Sequence, residues 1–294
     1  MRGTISLLML MFLCSVTACA QDMNANHNHN AAASPVSSDN MVSQEWARQR
    51  VEKSPRHREW VKVKNGTREV NSFVVYPENK NKATAVIVIH EIFGMSDWVQ
   101  SLTDQLAEAG YVAIAPDLLS GMGPNGGGTS SLSGNAVGQA IGALPPDQIT
   151  ADLNAVADYI SKIPASNGKV VVTGYCWGGG QSFRYATNNP NVKAAFVFYG
   201  PAPAAADGTP DKAALARIKA PVYGFYAGND ARINATLPKT TEAMTELKKT
   251  YEPVTYEGAG HGFMRAGEAP DANEANKKAR DEAWARWKKI LAGI

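Results

Sequence analysis

Five short runs of apolar residues, separated by segments with helical periodicity, constrain the fold of this 294-residue chain more than any other feature. Strands that are buried on both faces of a sheet have this nearly uninterrupted apolar pattern. Because the runs alternate with helices, the sequence predicts an α/β domain with a mostly parallel central sheet and helices on both faces. The runs lie at 85–90, 112–115, 170–173, 194–199 and 222–226, and the main helical segments at 98–109, 146–163, 179–187, 239–251 and 273–291.

The first nineteen residues have the pattern of an export signal. Arg2 precedes an apolar run at 5–16, which is too short to span a bilayer as a mature helix. The run ends in the sequence VTAC, which resembles a bacterial lipobox and makes Cys19 the expected lipidation site. We therefore expect an exported lipoprotein on the periplasmic face of a bacterial membrane, and Ala20 after the cysteine favours the outer membrane. The alternative is an ordinary secretory signal, cleaved near Ala18 or Ala20.

Residues 20–44 are mainly Asn, Ala, His, Ser and Pro. A segment with so few large apolar residues cannot offset its ordering entropy, so we predict a flexible tether ahead of a folded domain at 45–294. His27 and His29 could in principle bind a metal, but two histidines on a flexible segment form a weak site. The net charge is +2 and the basic residues do not cluster, so no nucleic-acid partner is expected.

Cys176 is the one cysteine outside the predicted signal, and its surroundings indicate a nucleophile. The apolar run at 170–173 leads into GYCWGG and then into a helix, which is the Gly-x-nucleophile-x-Gly turn of an α/β-hydrolase fold. Gly174 and Gly178 allow the close backbone approach that this turn requires. The helix N-terminus should lower the thiol pKa, and the amide of Trp177 should face a developing oxyanion. The alternative is a buried cysteine among packing glycines, against which the strand–turn–helix order argues.

A base and a carboxylate follow in the order that this fold requires. His261 lies in the glycine-rich loop GAGHGF, after a predicted strand at 253–256 and before the last helix. Asp230 follows the run at 222–226, where it can orient His261 and stabilise its imidazolium form. The alternative role for Asp230 is that of a turn residue that accepts hydrogen bonds from its own backbone. The order Cys176, Asp230, His261 matches nucleophile, acid and base.

The segment HEIFG at 90–94 completes the pattern, because the loop after this strand usually supplies a second oxyanion amide, here from Ile92. With APDL at 115–118, GYCWGG at 174–179 and GHGF at 260–263, the chain resembles the dienelactone hydrolase family over roughly 57–291. The resemblance implies that Glu91 contacts the nucleophile thiol and helps to form the thiolate.

The resemblance also bears on the substrate. Founding members of the family hold the carboxylate of an unsaturated lactone with two arginines, and Arg265 stands at one of these positions. Gly121 occupies the other, and residues 83–161 contain no Lys or Arg. Arg232, just after Asp230, is a second candidate for substrate contact. We therefore expect a neutral or singly charged ester, lactone or thioester, and the Gly- and Ser-rich segment 121–138 indicates a mobile lid.

Together these features predict a cysteine-nucleophile ester hydrolase that forms a thioester acyl-enzyme and needs no metal or cofactor. Three alternatives remain at this stage. An acyltransferase or peptidase would use the same triad. A periplasmic thiol sensor would need neither Asp230 nor His261. A binding lipoprotein would have kept the fold and lost its activity, and the intact triad argues against it.

Overall fold

The computed structural model describes residues 41–79 and 81–294. Cys19, the lipobox and the predicted tether as far as residue 40 lie outside these residues, so the signal, the lipid anchor and export remain predictions. Within the described ranges, no helix combines the length and the apolar character that crossing a bilayer requires.

The described strands form one eight-stranded sheet in the order β1-β2-β4-β3-β5-β6-β7-β8. β1 pairs antiparallel with β2, and β2 pairs antiparallel with β4. All later neighbours in the sheet are parallel, which confirms the predicted α/β-hydrolase architecture. The strands are β1 (Arg58–Asn65), β2 (Arg68–Val75), β3 (Ala83–Ile89), β4 (Val112–Pro116), β5 (Ser166–Tyr175), β6 (Ala195–Phe198), β7 (Val222–Ala227) and β8 (Tyr251–Tyr256).

Helices cover both faces of this sheet. Those with both ends among the described residues are α1 (Glu45–Glu52), α2 (Asp97–Glu108), α3 (Asn135–Gly142), α4 (Pro146–Lys162), α5 (Trp177–Asn188), α6 (Lys212–Ala216), α7 (Ala231–Asn234), α8 (Leu237–Glu246), α9 (Phe263–Ala266) and α10 (Glu274–Leu291). The five longer helices that the sequence predicts are therefore present, with ends that differ by a few residues.

Two apolar clusters explain why the strand sequences are apolar without interruption. In β3, Ala85, Ile87 and Ile89 face the first cluster, which packs against α4, α5 and α8. The alternate residues Val86 and Val88 face the second cluster, which packs against α1, α2 and α10. Successive side chains of a strand point to opposite faces, so a strand buried on both faces needs apolar residues at every position.

Gln44, the last residue of the predicted tether, packs against the folded domain. Gln44 is buried, and its backbone N–H donates to Asp97 Oδ2 at 2.8 Å. Its side-chain Oε1 accepts a hydrogen bond from the backbone N–H of Trp98 at 3.1 Å. The first N–H groups of a helix have no partner within the helix, and Gln44 satisfies one of them at the start of α2. Composition alone misses this contact because it depends on one side chain.

The segment 121–138, predicted as a mobile lid, has local structure. It contains two 3₁₀ turns, at Pro124–Gly126 and Thr129–Ser131, and the first turn of α3. Thr129 is buried, and its backbone N–H and hydroxyl each donate to the Asp117 carboxylate at 2.8 Å. One buried residue therefore pins the middle of this segment to the end of β4.

Substitution of Gly178 tests how closely α5 packs on the sheet. A Cβ atom there would overlap the carbonyl oxygens of Ile89 and His90, so Gly178→Ala should lower the free energy of unfolding by about 3 kcal/mol or more. Gly142, at the end of α3, has open space around its Cβ position, and Gly142→Ala should raise stability by about 0.5–1 kcal/mol. Urea unfolding of both variants measures the difference, and equal stabilities would contradict this account of the packing.

Candidate active site

Cys176 lies on the turn between β5 and α5 in a strained backbone conformation. Its φ is +55° and its ψ −116°, a region that non-glycine residues rarely adopt. A Cβ atom at Gly174 would overlap the backbone of Gly178, and one at Gly178 would overlap the end of β3. The predicted reason for both glycines is therefore correct, and the turn places the Cys176 side chain at the carboxyl edge of the sheet.

The three predicted triad residues are hydrogen-bonded to one another. His261 Nε2 lies 3.1 Å from Cys176 Sγ, and His261 Nδ1 lies 2.5 Å from Asp230 Oδ2. The ionised carboxylate only accepts, so Nδ1 carries the proton and Nε2 is free to accept the thiol proton. Asp230 is buried, and its Oδ1 also accepts from the Ile233 N–H at 3.3 Å. Asp230 thus caps α7 and bonds His261, so it makes the contacts that both predicted roles require.

The two predicted oxyanion amides converge on the same sulfur atom. The backbone N–H groups of Trp177 and Ile92 both donate to Cys176 Sγ, and these hydrogen bonds lower the thiol pKa. His90 holds this loop in place: its Nδ1 donates to the Glu91 carbonyl at 2.8 Å, and its ring stacks on Trp177. Burial lowers the pKa of His90, so its ring is neutral.

The balance of effects on the thiol differs from the sequence expectation. Burial, followed by the negative charge of Glu91, raises the pKa of Cys176 to about 11, whereas the amides and Arg232 lower it. The lowering of the thiol pKa that we predicted from the helix end is therefore outweighed. Removing a thiolate from water destabilises it by more than the two amide hydrogen bonds stabilise it. The resting residue is a thiol.

Glu91 and Arg265 form a buried ion pair beside the thiol. Arg265 Nε donates to Glu91 Oε2 at 2.7 Å, and the guanidinium lies over the Phe93 ring at 5.4 Å from its centroid. Arg265 Nη1 also lies 3.5 Å from Met41 Sδ, so the segment before α1 covers this arginine. Among the described residues, the hydrogen bond of the Glu91 side chain goes to Arg265 and not to the thiol, so Glu91 acts on Cys176 through its charge.

Arg232 has different surroundings from Arg265. Its side chain is exposed, and it makes no hydrogen bond or ion pair with the described part of the chain, yet its charge lowers the pKa of Cys176. Of the two arginines that the sequence singles out, Arg232 is therefore the one free to meet a ligand. At Gly121 the neighbouring cation is Arg68 from β2, which is already paired with Asp152 at 3.0 Å.

Tyr199 is a site residue that the sequence analysis missed. It follows β6 with a φ of +40°, and its buried ring meets the His261 ring edge-on, with the ring centroids 5.0 Å apart. It also contacts Phe263, with 5.4 Å between the ring centroids. The ring therefore restricts the orientation of the triad histidine. The only signal in the sequence is an aromatic residue between a buried strand and Gly200, which does not point to this role.

Comparisons with known proteins identify the family. A sequence profile of the dienelactone hydrolase family matches residues 70–294. The chain belongs to the dienelactone hydrolase family. It is a hydrolase of the dienelactone hydrolase type and has the fold of that family.

Individual members of the dienelactone hydrolase family are similar over most of their length. A protein from Saccharolobus solfataricus, provisionally named carboxymethylenebutenolidase, is 31% identical over 258 residues, which cover 77% of this chain and 95% of the relative. A Salmonella typhimurium protein of the same provisional name is 34% identical over 208 residues, covering 68% of this chain and 74% of the relative. A crystal structure of a provisionally assigned dienelactone hydrolase from Klebsiella pneumoniae superposes with a TM-score of 0.70 at 26% identity, covering 81% of this chain and 99% of that one.

The charge of Glu91 should be visible in the titration of Cys176. Glu91→Gln removes a negative charge next to the sulfur and leaves the Arg265 cation, so the thiol pKa should fall by about one unit from about 11. The pH dependence of alkylation by iodoacetamide measures this pKa. Glu242→Gln, which removes an exposed carboxylate on α8, is the control and should match the wild type. An unchanged or higher thiol pKa in Glu91→Gln would refute this electrostatic assignment.

Proposed function

We propose that the protein hydrolyses small carboxylic esters, lactones or thioesters through a thioester acyl-enzyme on Cys176. The observation that carries this proposal is the continuous hydrogen-bonded line from Asp230 through His261 to Cys176 Sγ. A sulfur, an imidazole nitrogen ready to accept its proton and a buried carboxylate behind the imidazole are what acyl transfer to a thiol requires. The two amides at the sulfur supply donors for a developing oxyanion.

The reaction follows from these positions. His261 Nε2 takes the proton of Cys176, and the sulfur attacks the carbonyl carbon of the substrate, whose oxygen becomes negatively charged. The oxyanion accepts hydrogen bonds from the Ile92 and Trp177 amides in place of the sulfur. When the tetrahedral adduct collapses, the bond to the leaving group breaks and His261 Nε2 gives that group its proton.

Water completes the cycle. It loses a proton to His261 Nε2 while its oxygen attacks the thioester carbonyl. The second adduct then expels the Cys176 sulfur, which regains the proton, and the carboxylic acid is released. Asp230 stabilises the imidazolium each time it forms and keeps the Nδ1–H tautomer in place.

The high thiol pKa favours a hydrolase over a thiol sensor. Redox-sensing cysteines have low pKa values and are well exposed, because the thiolate is the form that oxidants attack. Burial and Glu91 act in the opposite direction at Cys176. A thiol that loses its proton to His261 only during attack on a carbonyl fits acyl transfer. An acyltransferase or peptidase would use the same atoms, and no described feature favours it.

The substrate can carry a negative group on the side of Arg232. Arg265 is engaged by Glu91 and covered by Met41, so it is not available as a clamp in this conformation. Arg232 is exposed, unpaired within the described residues and close enough to influence the thiol. We therefore expect Arg232 to pair with at most one substrate carboxylate, which matches a neutral or singly charged substrate.

Removal of triad side chains tests the proposed mechanism. With p-nitrophenyl acetate as substrate, Cys176→Ala and His261→Ala should each reduce kcat by about a thousandfold or more, and Asp230→Asn should reduce it less. Intact mass spectrometry should detect an acetyl group on the wild-type protein and none on Cys176→Ala. Turnover by Cys176→Ala at the wild-type rate would show that the reaction does not use this nucleophile.

Arg232→Gln tests whether the Arg232 side chain contacts a substrate carboxylate. The kcat/KM for the p-nitrophenyl monoester of glutaric acid, divided by that for p-nitrophenyl butyrate, should fall about two- to fivefold, the range expected for an exposed ion pair. Added salt should reduce the wild-type ratio toward the variant's. Lys193→Gln removes an exposed cation at the start of β6, on the opposite edge of the sheet, and should keep the wild-type ratio. An equal ratio in Arg232→Gln and the wild type would exclude the proposed contact.

A further inference from the structure

Met41 covers the guanidinium of Arg265 beside the nucleophile. The Met41 Sδ atom lies 3.5 Å from Arg265 Nη1, and 16% of the arginine side chain is exposed. We propose that Met41 is a specificity-determining residue, because its side chain closes Arg265 to a carboxylate group of the substrate. This inference rests on the proposed function, since it concerns which esters the same site accepts.

Arg265 has hydrogen-bond donors that its partners leave largely unused. A guanidinium carries five N–H groups, and Nε donates to Glu91 Oε2 at 2.7 Å. Nη1 meets the Met41 thioether, which is a weak acceptor, and no oxygen of the described chain bonds this nitrogen. A carboxylate oxygen forms a much stronger, charge-assisted hydrogen bond with a guanidinium. A substrate carboxylate in place of the Met41 side chain would therefore bond Nη1, while Glu91 keeps its bond to Nε.

The covered guanidinium is close to the reacting atoms. A Cβ atom at Gly262 would lie 3.4 Å from Arg265 Nη2, and Gly262 directly follows the triad residue His261. After burial, the charge of Glu91 is the next cause that raises the pKa of Cys176, so the ion pair lies within electrostatic range of the sulfur. A carboxylate a few bonds from the reacting carbonyl is therefore the kind of group that Arg265 could bind.

The segment 41–44, which we call the strap, is fixed to the domain by more than the contact with Arg265. Val42 packs against the first cluster, whereas α1, which follows the strap, packs against the second. Because the sheet separates the two clusters, the strap passes around an edge of the sheet, and its contact with Arg265 shows that this is the catalytic edge. Gln44 then bonds the start of α2. These contacts hold Met41 over the guanidinium.

Removal of the Met41 side chain would open the guanidinium at its donors. Phe93 lies over the Arg265 guanidinium, with 5.4 Å between its ring centroid and Arg265 Cζ, and Met41 lies at Nη1. The N–H groups of a guanidinium point outward in its plane, and its flat faces stack on aromatic rings. A shorter side chain at residue 41 therefore exposes a donor and leaves the packing on Phe93 in place.

Met41→Ala tests the proposal, with the p-nitrophenyl monoester of glutaric acid and p-nitrophenyl butyrate as substrates. The kcat/KM for the monoester, divided by that for butyrate, should rise about fivefold, because Nη1 can then bond the substrate carboxylate. The charge of Glu91 opposes a second carboxylate and limits this gain. Met41→Leu keeps a side chain of similar volume over Arg265, so this matched control should show the wild-type ratio.

A double variant identifies the arginine responsible. Met41→Ala combined with Arg232→Gln should show the same gain relative to Arg232→Gln alone, because the carboxylate then binds Arg265. Loss of the gain in the double variant would overturn the proposal, as would an unchanged ratio in Met41→Ala or an equal rise in Met41→Leu. None of these results affects the triad, whereas wild-type turnover of butyrate by Cys176→Ala would instead refute the proposed function.

Discussion

The close contact between α5 and the ends of the neighbouring strands is the constraint on which the catalytic edge depends. Gly178 packs against the last carbonyls of the β3 segment, and Gly179 packs against the carbonyl of Phe198 at the end of β6. Side chains at these positions would push the helix away from the sheet. With the helix held this close, the turn before it has little freedom, and Cys176 is kept at a positive φ. The energy of close packing thus maintains the strain at the nucleophile.

Charge is arranged around this turn so that the sulfur is protonated at rest. Burial and Glu91 oppose the thiolate, and the amides of Ile92 and Trp177 favour it. Arg265 pairs with the Glu91 carboxylate inside the protein, since a buried charge without a partner would be costly. These charges leave little thiolate at rest, and His261 Nε2 lies within hydrogen-bond distance of the sulfur. In the mechanism that we propose, His261 takes the proton only when a carbonyl is present.

Local patterns in the sequence predict much of this molecule. Uninterrupted apolar runs identify the strands of a sheet buried on both faces, and glycine spacing identifies the turn at Cys176. Each of these signals lies within a few residues, where backbone geometry determines the local structure. His261 and Asp230 are also predictable, because the fold places the residues after β7 and β8 at the same edge as the nucleophile.

Effects that depend on packing between distant segments are not predictable in this way. Glu91 and Arg265 are 174 residues apart in the chain, and nothing near either one indicates the pair. The sign of the thiol pKa shift depends on total burial, whereas the sequence shows only the local helix end. Tyr199 acquires its contact with His261 from the positions of two strands, and Gln44 joins the domain through the hydrogen bonds of its backbone N–H and its side-chain oxygen.

The contact between Met41 and Arg265 has a practical consequence for how the protein is attached to other molecules. Met41 lies at the catalytic edge, whereas the terminal residue Ile294 accepts a hydrogen bond from Lys169 in the first half of β5, toward the opposite edge. A fusion partner or a solid support joined shortly before residue 41 would stand beside Arg265 and the ion pair next to Cys176. One joined after residue 294 would lie toward the opposite edge, so the two ends of the described chain are not equivalent points for immobilisation.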